Sequence, residues 1–129
     1  MVNYRSLTGK AWKYGEQDCY TLVRDYFALL SVELPDFDRP ENLQSTDSIF
    51  LRYAAALGFE QTDFSDRREG DVLIMQLGTR TPMHAAIYLK DDRILHQRMN
   101  SISAIEPLTR YYRDRVSAVY RHATCHARR

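Results

Sequence analysis

Cys19 is the residue with the most chemistry to offer in this sequence. It follows Asp18 at the expected start of a helix. There, unpaired N–H groups and the positive end of the helix dipole favour a thiolate over a thiol. The thiolate is the nucleophilic form of cysteine, so a first-turn position suits acyl transfer. The same residue also fits a plainer reading, a small hydrophobe on a buried helical face. A working nucleophile needs an imidazole within hydrogen-bond reach and a third group to orient that imidazole. The chain offers four histidines, His84, His96, His122 and His126.

His84 and His96 flank Asp91-Asp92, which reads as a hairpin turn between strands over 84–90 and 93–97. Side chains alternate along a strand, so the length of the turn decides whether the two imidazoles meet. A two-residue loop pairs Lys90 with Arg93 and His96 with Ile87, which sends the rings to opposite faces. A three-residue loop, 90–92, pairs Leu89 with Arg93 and His96 with Ala86. The histidines are then diagonal neighbours on one face, about 7–8 Å apart at the backbone. An odd-length loop or a bulge is therefore a structural condition of a cysteine–histidine–histidine site.

Other chemistry-bearing residues are read beside simpler alternatives. Tyr14, five residues before Cys19, either donates a hydrogen bond to a developing oxyanion or packs its ring on the core. Asp18 suits helix capping better than catalysis, because a carboxylate beside the thiol opposes thiolate formation. His122, Cys125 and His126 cluster near the C-terminus, but three nearby ligands fall short of an ordinary four-ligand zinc site, and a basic tail is the expected reading. The sequence has no Gly-x-Ser-x-Gly elbow, no Gly-rich phosphate loop, no HExxH and no CxxC.

The elements that must position these groups follow from periodicity. Between Asp18 and Ser31 the apolar residues Cys19, Leu22, Val23, Tyr26, Phe27 and Leu30 fall on one helical stripe, and Leu34-Pro35-Asp36 ends it. The middle of the chain, 36–68, is polar and irregular. It carries one helical patch over 48–57, with Gly58 as its stop. Strands are expected over 71–77, 84–90, 93–97 and 115–121, with a short helix over 108–113. A helix first and antiparallel strands after make an α+β domain with segregated layers.

Composition sets the outer bounds. The 129 residues form one expected domain, 1–129, ending in a short basic tail at about 123–129. Apolar residues make up 44% and charged residues 27%, a globular balance that excludes a disordered or collagen-like chain. Eighteen basic and seventeen acidic residues leave a net charge of +1, which announces neither nucleic acid nor an acidic tail. Two cysteines make no disulfide framework. No run approaches the roughly 18 apolar residues of a membrane span, so no membrane insertion is expected. The first ten residues lack a signal-peptide core, which predicts a product made in the cytoplasm.

Taken in order, Trp12-Lys13-Tyr14-Gly15, Asp18-Cys19, Leu34-Pro35, Gly70-Asp71-Val72-Leu73, His84-Ala85-Ala86-Ile87-Tyr88-Leu89 and Ile94-Leu95-His96 resemble the NlpC/P60 family. Cys19-Tyr20-Thr21-Leu22-Val23-Arg24-Asp25-Tyr26 and Ile94-Leu95-His96-Gln97 are similar to its phage tail-assembly type. The resemblance implies a papain-like α+β fold and a cysteine peptidase that cuts peptidoglycan stem peptides, with Cys19 as nucleophile, His84 as base and His96 orienting His84. It implies no metal and no organic cofactor. The expected partners are peptidoglycan and other tail-tip proteins, and the expected place is the virion tail tip, acting at the cell wall or in the periplasm. Three departures stand out. Tyr20 replaces the usual serine, Ala86 replaces a common glycine, and the Tyr14–Cys19 spacing is short. Tyr14 and Tyr20 are thus the expected oxyanion or substrate contacts, and Tyr20 and Ala86 are expected to narrow the cleft. Two rival roles remain, a silent structural protein of the tail tip and another papain-like thiol amidase or acyltransferase.

Overall fold

The computed structural model describes residues 3–36, 54–78 and 82–123. Among them run helix α1 (Cys19–Leu29), strands β1 (Phe59–Thr62), β2 (Val72–Met75), β3 (His84–Leu89), β4 (Arg93–His96) and β5 (Ala104–Pro107), the one-turn helix α2 (Arg110–Arg113) and strand β6 (Val116–His122). The strands form one antiparallel sheet in the order β1-β6-β2-β3-β4-β5. The α+β class read from the sequence is the class of the fold.

α1 forms where the apolar stripe demands it. Tyr20, Leu22, Val23, Tyr26 and Phe27 are buried, and they pack on Phe59, Val72, Ile74, Ala85, Ile87 and Leu95 of the sheet. Asp18 caps the helix. One carboxylate oxygen accepts from the Thr21 amide at 3.0 Å and the other from the Gly15 amide at 3.0 Å. Such a cap stabilises a helix by about 1 kcal/mol, and here it also ties the turn before Cys19 to the helix start. Ser31, at φ 64°, takes the left-handed conformation just past the helix end.

The four residues of β2 are all buried, because both sheet faces are covered. Val72 and Ile74 face α1; Leu73 and Met75 face a second core with Ala86, Ile94, Leu108, Tyr112 and Val119. That double cover explains an apolar run without alternation.

Two strands were not legible beforehand, β1 and β5. Of the helical patch expected over 48–57, residues 48–53 lie outside the described residues. The part seen, 54–57, consists of turns closed by the Gly58 amide on Ala55 (3.1 Å) and the Phe59 amide on Ala54 (3.0 Å). These two bonds form a Schellman closure with Gly58 at φ 90°, the stop read from the sequence. A Cβ on Gly58 would also stand 3.0 Å from His122 Nε2, so a side chain there would press on that ring. Cys125, His126 and the basic tail from 124 onward lie outside the described residues.

Candidate active site

The β3–β4 turn settles the parity question. Leu89 pairs with Arg93 and His96 with Ala86, so the loop is the three-residue one, 90–92. Asp91 and Asp92 take φ of 64° and 56°, a left-handed conformation that aspartate tolerates better than most residues. Asp92 is anchored on several sides. It accepts from the Tyr88 hydroxyl at 2.7 Å and from Arg67 Nη2 at 3.1 Å, and it pairs with the Arg113 guanidinium. Its carbonyl takes the Leu108 amide at 2.8 Å.

As a result His84, the first residue of β3, and His96, the last of β4, share the sheet face that Leu108 and Tyr112 cover. Both are buried. His84 Nε2 lies 2.8 Å from His96 Nδ1, with ring centroids 5.0 Å apart. His96 Nε2 in turn meets the Glu106 carboxylate on β5, and the Tyr112 ring packs edge-on against His96 at 5.2 Å. Glu106 enters this face because β5 pairs with β4 in a register that sets it beside Ile94, diagonal to His96.

Cys19 opens α1 at the end of the sheet where β3 begins. Its thiol is partly buried and donates to the Met83 carbonyl at 3.5 Å, one residue before His84.

Burial holds the His84 imidazole well below the ordinary histidine pKa, with the charges of His96 and Arg98 adding to the same effect. Burial also lowers His96, against the opposing pull of the Glu106 hydrogen bond and charge. Glu106 feels an upward push from burial. Its hydrogen bond from His96, the charge of His96, the Tyr112 hydroxyl and the Arg98 charge outweigh that push and hold it low. Near neutral pH the cluster is therefore a carboxylate beside two neutral imidazoles.

The remaining sequence candidates fall elsewhere. Tyr14 is half-buried and stacks on Trp12 at 6.2 Å. Tyr20 is buried in the α1 core, and its hydroxyl donates to the Pro35 carbonyl. Its ring packs in that core, beside the start of α1. Ala86 is buried between β2 and β4. His122 donates Nε2–H to the Leu57 carbonyl at 3.1 Å and packs on Phe27 and Phe59. Among the described residues no group of three or more His, Cys, Asp or Glu is placed to hold a metal ion, and no helix is long and apolar enough to cross a membrane.

Glu106 was missed by the sequence reading. Its signal was faint: Ile102, Ala104 and Glu106 alternate with Ser103 and Ile105, but Pro107 and the polar turn before them hide a four-residue strand.

The fold and these side chains define an α+β domain in which a helix-opening thiol meets the end of a sheet that carries a linked histidine pair. The NlpC/P60 family model matches residues 6–121, and the chain belongs to that family. It is 36% identical over 117 residues to tail tip assembly protein K of Escherichia phage lambda, a match covering 90% of this chain and 59% of the relative. The tail tip assembly protein K of Escherichia phage N15 is 31% identical over 113 residues, 84% of this chain and 46% of that protein. The chain thus spans about half the length of these relatives. A crystal structure of a lipoprotein-like NLP/P60 protein from Staphylococcus aureus superposes with a TM-score of 0.66 at 19% identity, over 92% of this chain and 38% of that one, and it shows the shared fold.

Proposed function

We propose that the protein is a cysteine hydrolase that cuts amide bonds in peptidoglycan stem peptides, as part of a phage or phage-like tail tip that breaches the cell wall. The observation that carries this reading is the His84 imidazole pinned by His96, one residue after the Met83 carbonyl that holds the Cys19 thiol.

In this mechanism the thiol turns from the Met83 carbonyl toward His84, and the imidazole takes its proton. The thiolate attacks the amide carbonyl carbon. The C–N bond then breaks as His84 gives that proton to the leaving amine. Water, deprotonated by His84, attacks the thioester, and the acid leaves with the thiol restored. His96 holds the His84 ring throughout. Tyr14, in the turn that Asp18 ties to the start of α1, is the candidate donor to the oxyanion.

The test is digestion of purified peptidoglycan by the protein and by Cys19→Ala. The parent should release new free amines and shortened stem peptides, and the variant should release none. Equal, blank profiles would remove the peptidase reading.

A second role is favoured by the two phage relatives, which are tail tip assembly proteins. Here the domain would serve as a docking surface for neighbouring tail proteins. Particles carrying Cys19→Ala separate the roles, since an enzyme leaves assembly intact and lowers infection, whereas a purely structural domain leaves both unchanged.

A further inference from the structure

Behind the two histidines runs a chain of hydrogen bonds whose sense is fixed by Arg98 at one end and by the Glu106 carboxylate at its centre. Arg98 Nη1 donates to the Tyr112 hydroxyl at 3.2 Å, and a guanidinium can only donate. The Tyr112 proton therefore points onward to Glu106, 3.2 Å away. An ionised carboxylate can only accept, so His96 must present Nε2–H to it. His96 Nδ1 is then a lone pair, and His84 must present Nε2–H to it. What remains on His84 is a bare Nδ1.

We infer that Glu106 is a positioning residue that sets the tautomer of both imidazoles and leaves His84 Nδ1 as the unprotonated nitrogen. This deepens the proposed function and rests on it, because a bare Nδ1 is what a thiol base requires. The low position of Glu106 agrees, since it keeps the carboxylate ionised at neutral pH. Around the histidine pair, Glu106 from β5 and the Tyr112 ring from α2 touch His96, Arg98 beyond β4 bonds Tyr112, and the Cys19 thiol from α1 sits on the Met83 carbonyl, one residue before His84. Of these, Glu106 alone accepts without donating. The Glu106 side chain is 39% exposed, so its replacement leaves the core intact.

The experiment substitutes the sense of the hydrogen bond. Glu106→Gln still offers an oxygen, which the Tyr112 hydroxyl holds toward His96. Glu106→Lys offers donors only and should reverse the chain, placing a proton on His84 Nδ1. Side-chain nitrogen NMR of the full chain at pH 7.5 reads the tautomers directly, and iodoacetamide modification of Cys19 across pH reads the consequence. The parent and Glu106→Gln should both show bare Nδ1 on His84 and similar alkylation profiles. Glu106→Lys should show Nδ1–H. Its alkylation near neutrality should fall by between about tenfold and 10⁴-fold, the upper end being what a wrong tautomer costs a serine hydrolase. If Glu106→Lys unfolds, Glu106→Met should give a mixture of tautomers. An unchanged bare Nδ1 in Lys and Met variants alike would overturn the inference. A parent thiol that alkylates as an ordinary cysteine regardless of His84, while the tautomers follow residue 106, would instead sink the hydrolase reading and leave this inference standing.

Discussion

His96 stands directly opposite Ala86 in the β3–β4 ladder, and His84 lies two residues along from Ala86 on the same face. That single pairing is what lets one imidazole hold the other. It depends on an odd loop, and the odd loop depends on Asp91 and Asp92 accepting left-handed backbone while Asp92 is gripped by Tyr88, Arg67 and Arg113.

Inserting one glycine between Asp91 and Asp92 should therefore abolish activity without removing any site residue. A three-residue loop of Asp91, the insert and Asp92 then pairs Lys90 with Arg93 and His96 with Ile87, which turns His96 to the opposite face. The expected result is a protein with a near-parental far-ultraviolet circular dichroism spectrum and stem-peptide cleavage no better than that of Cys19→Ala. Parental cleavage by the insertion variant would disprove the parity argument.

Substitution of His84 by Gln should lower cleavage by about 10²–10⁴-fold or more, the contribution usual for a positioned acid–base group. Loss of the base should also return Cys19 alkylation to the pH dependence of an ordinary thiol. A smaller effect at His84 than at Tyr14→Phe would mean that the base has been misassigned.

Stability should fall on the acid side in a way that His84 controls. Burial depresses the folded-state pKa of His84, followed by the charges of His96 and Arg98. A depressed folded-state value means that the unfolded chain binds protons more readily. The stability it confers is complete above the unfolded histidine value of about 6.5 and is lost as pH falls toward the folded-state value. His96 and His122 shift in the same direction, both first through burial. Urea midpoints measured between pH 8 and pH 5 should decline for the parent and decline less steeply for His84→Gln. Identical slopes would contradict the assignment.

The fold was legible where sequence period and burial agree. α1 follows its apolar stripe from Cys19 to Leu29 because a single face packs on the sheet. The histidine pair was reachable by counting, since ladder parity is arithmetic. Glu106 was not, because β5 is a short edge strand whose pairing is set by β4 and not by its own pattern. The Tyr20–Pro35 bond was not legible for a related reason: it joins residues that only the packing of α1 brings together. The Gly70-Asp71 block carried a family resemblance without a physical account until Arg121 came into place beside it.

Asp71 and Arg121 form that buried pair, with Nε on one carboxylate oxygen at 2.8 Å and Nη2 on the other at 2.7 Å. Asp71 also accepts the Arg68 amide at 2.7 Å, and Arg121 reaches the Asp66 carbonyl at 2.8 Å. Asp71→Ala should cost up to about 3–5 kcal/mol, because it leaves the buried guanidinium only the Asp66 carboxylate and carbonyl. The double variant Asp71→Ala with Arg121→Met should cost less than the sum of the two single losses, measured by urea unfolding. Additive losses would show that the pair is not coupled.

Gln97 tests whether the wall of the site must be rigid. Its side chain is buried beside His96 and uses both amide protons, donating to the Lys10 carbonyl at 2.9 Å and the Ser101 carbonyl at 2.6 Å. Its oxygen accepts from Gln17 at 3.0 Å, two residues before the nucleophile. One amide thus ties β4 to the segment leading into α1. Glu at this position supplies no donor and sets a carboxylate against two carbonyls, so Gln97→Glu should destabilise more than Gln97→Ala. For the latter about 1–3 kcal/mol is expected from unpaired polar groups. Because the approach to Cys19 loosens, kcat/KM on a stem peptide should fall by up to about 10²-fold in the Ala variant, even at temperatures where it is fully folded. A loss of stability with unchanged kcat/KM would mean that the tie holds the fold together but does not place the thiol.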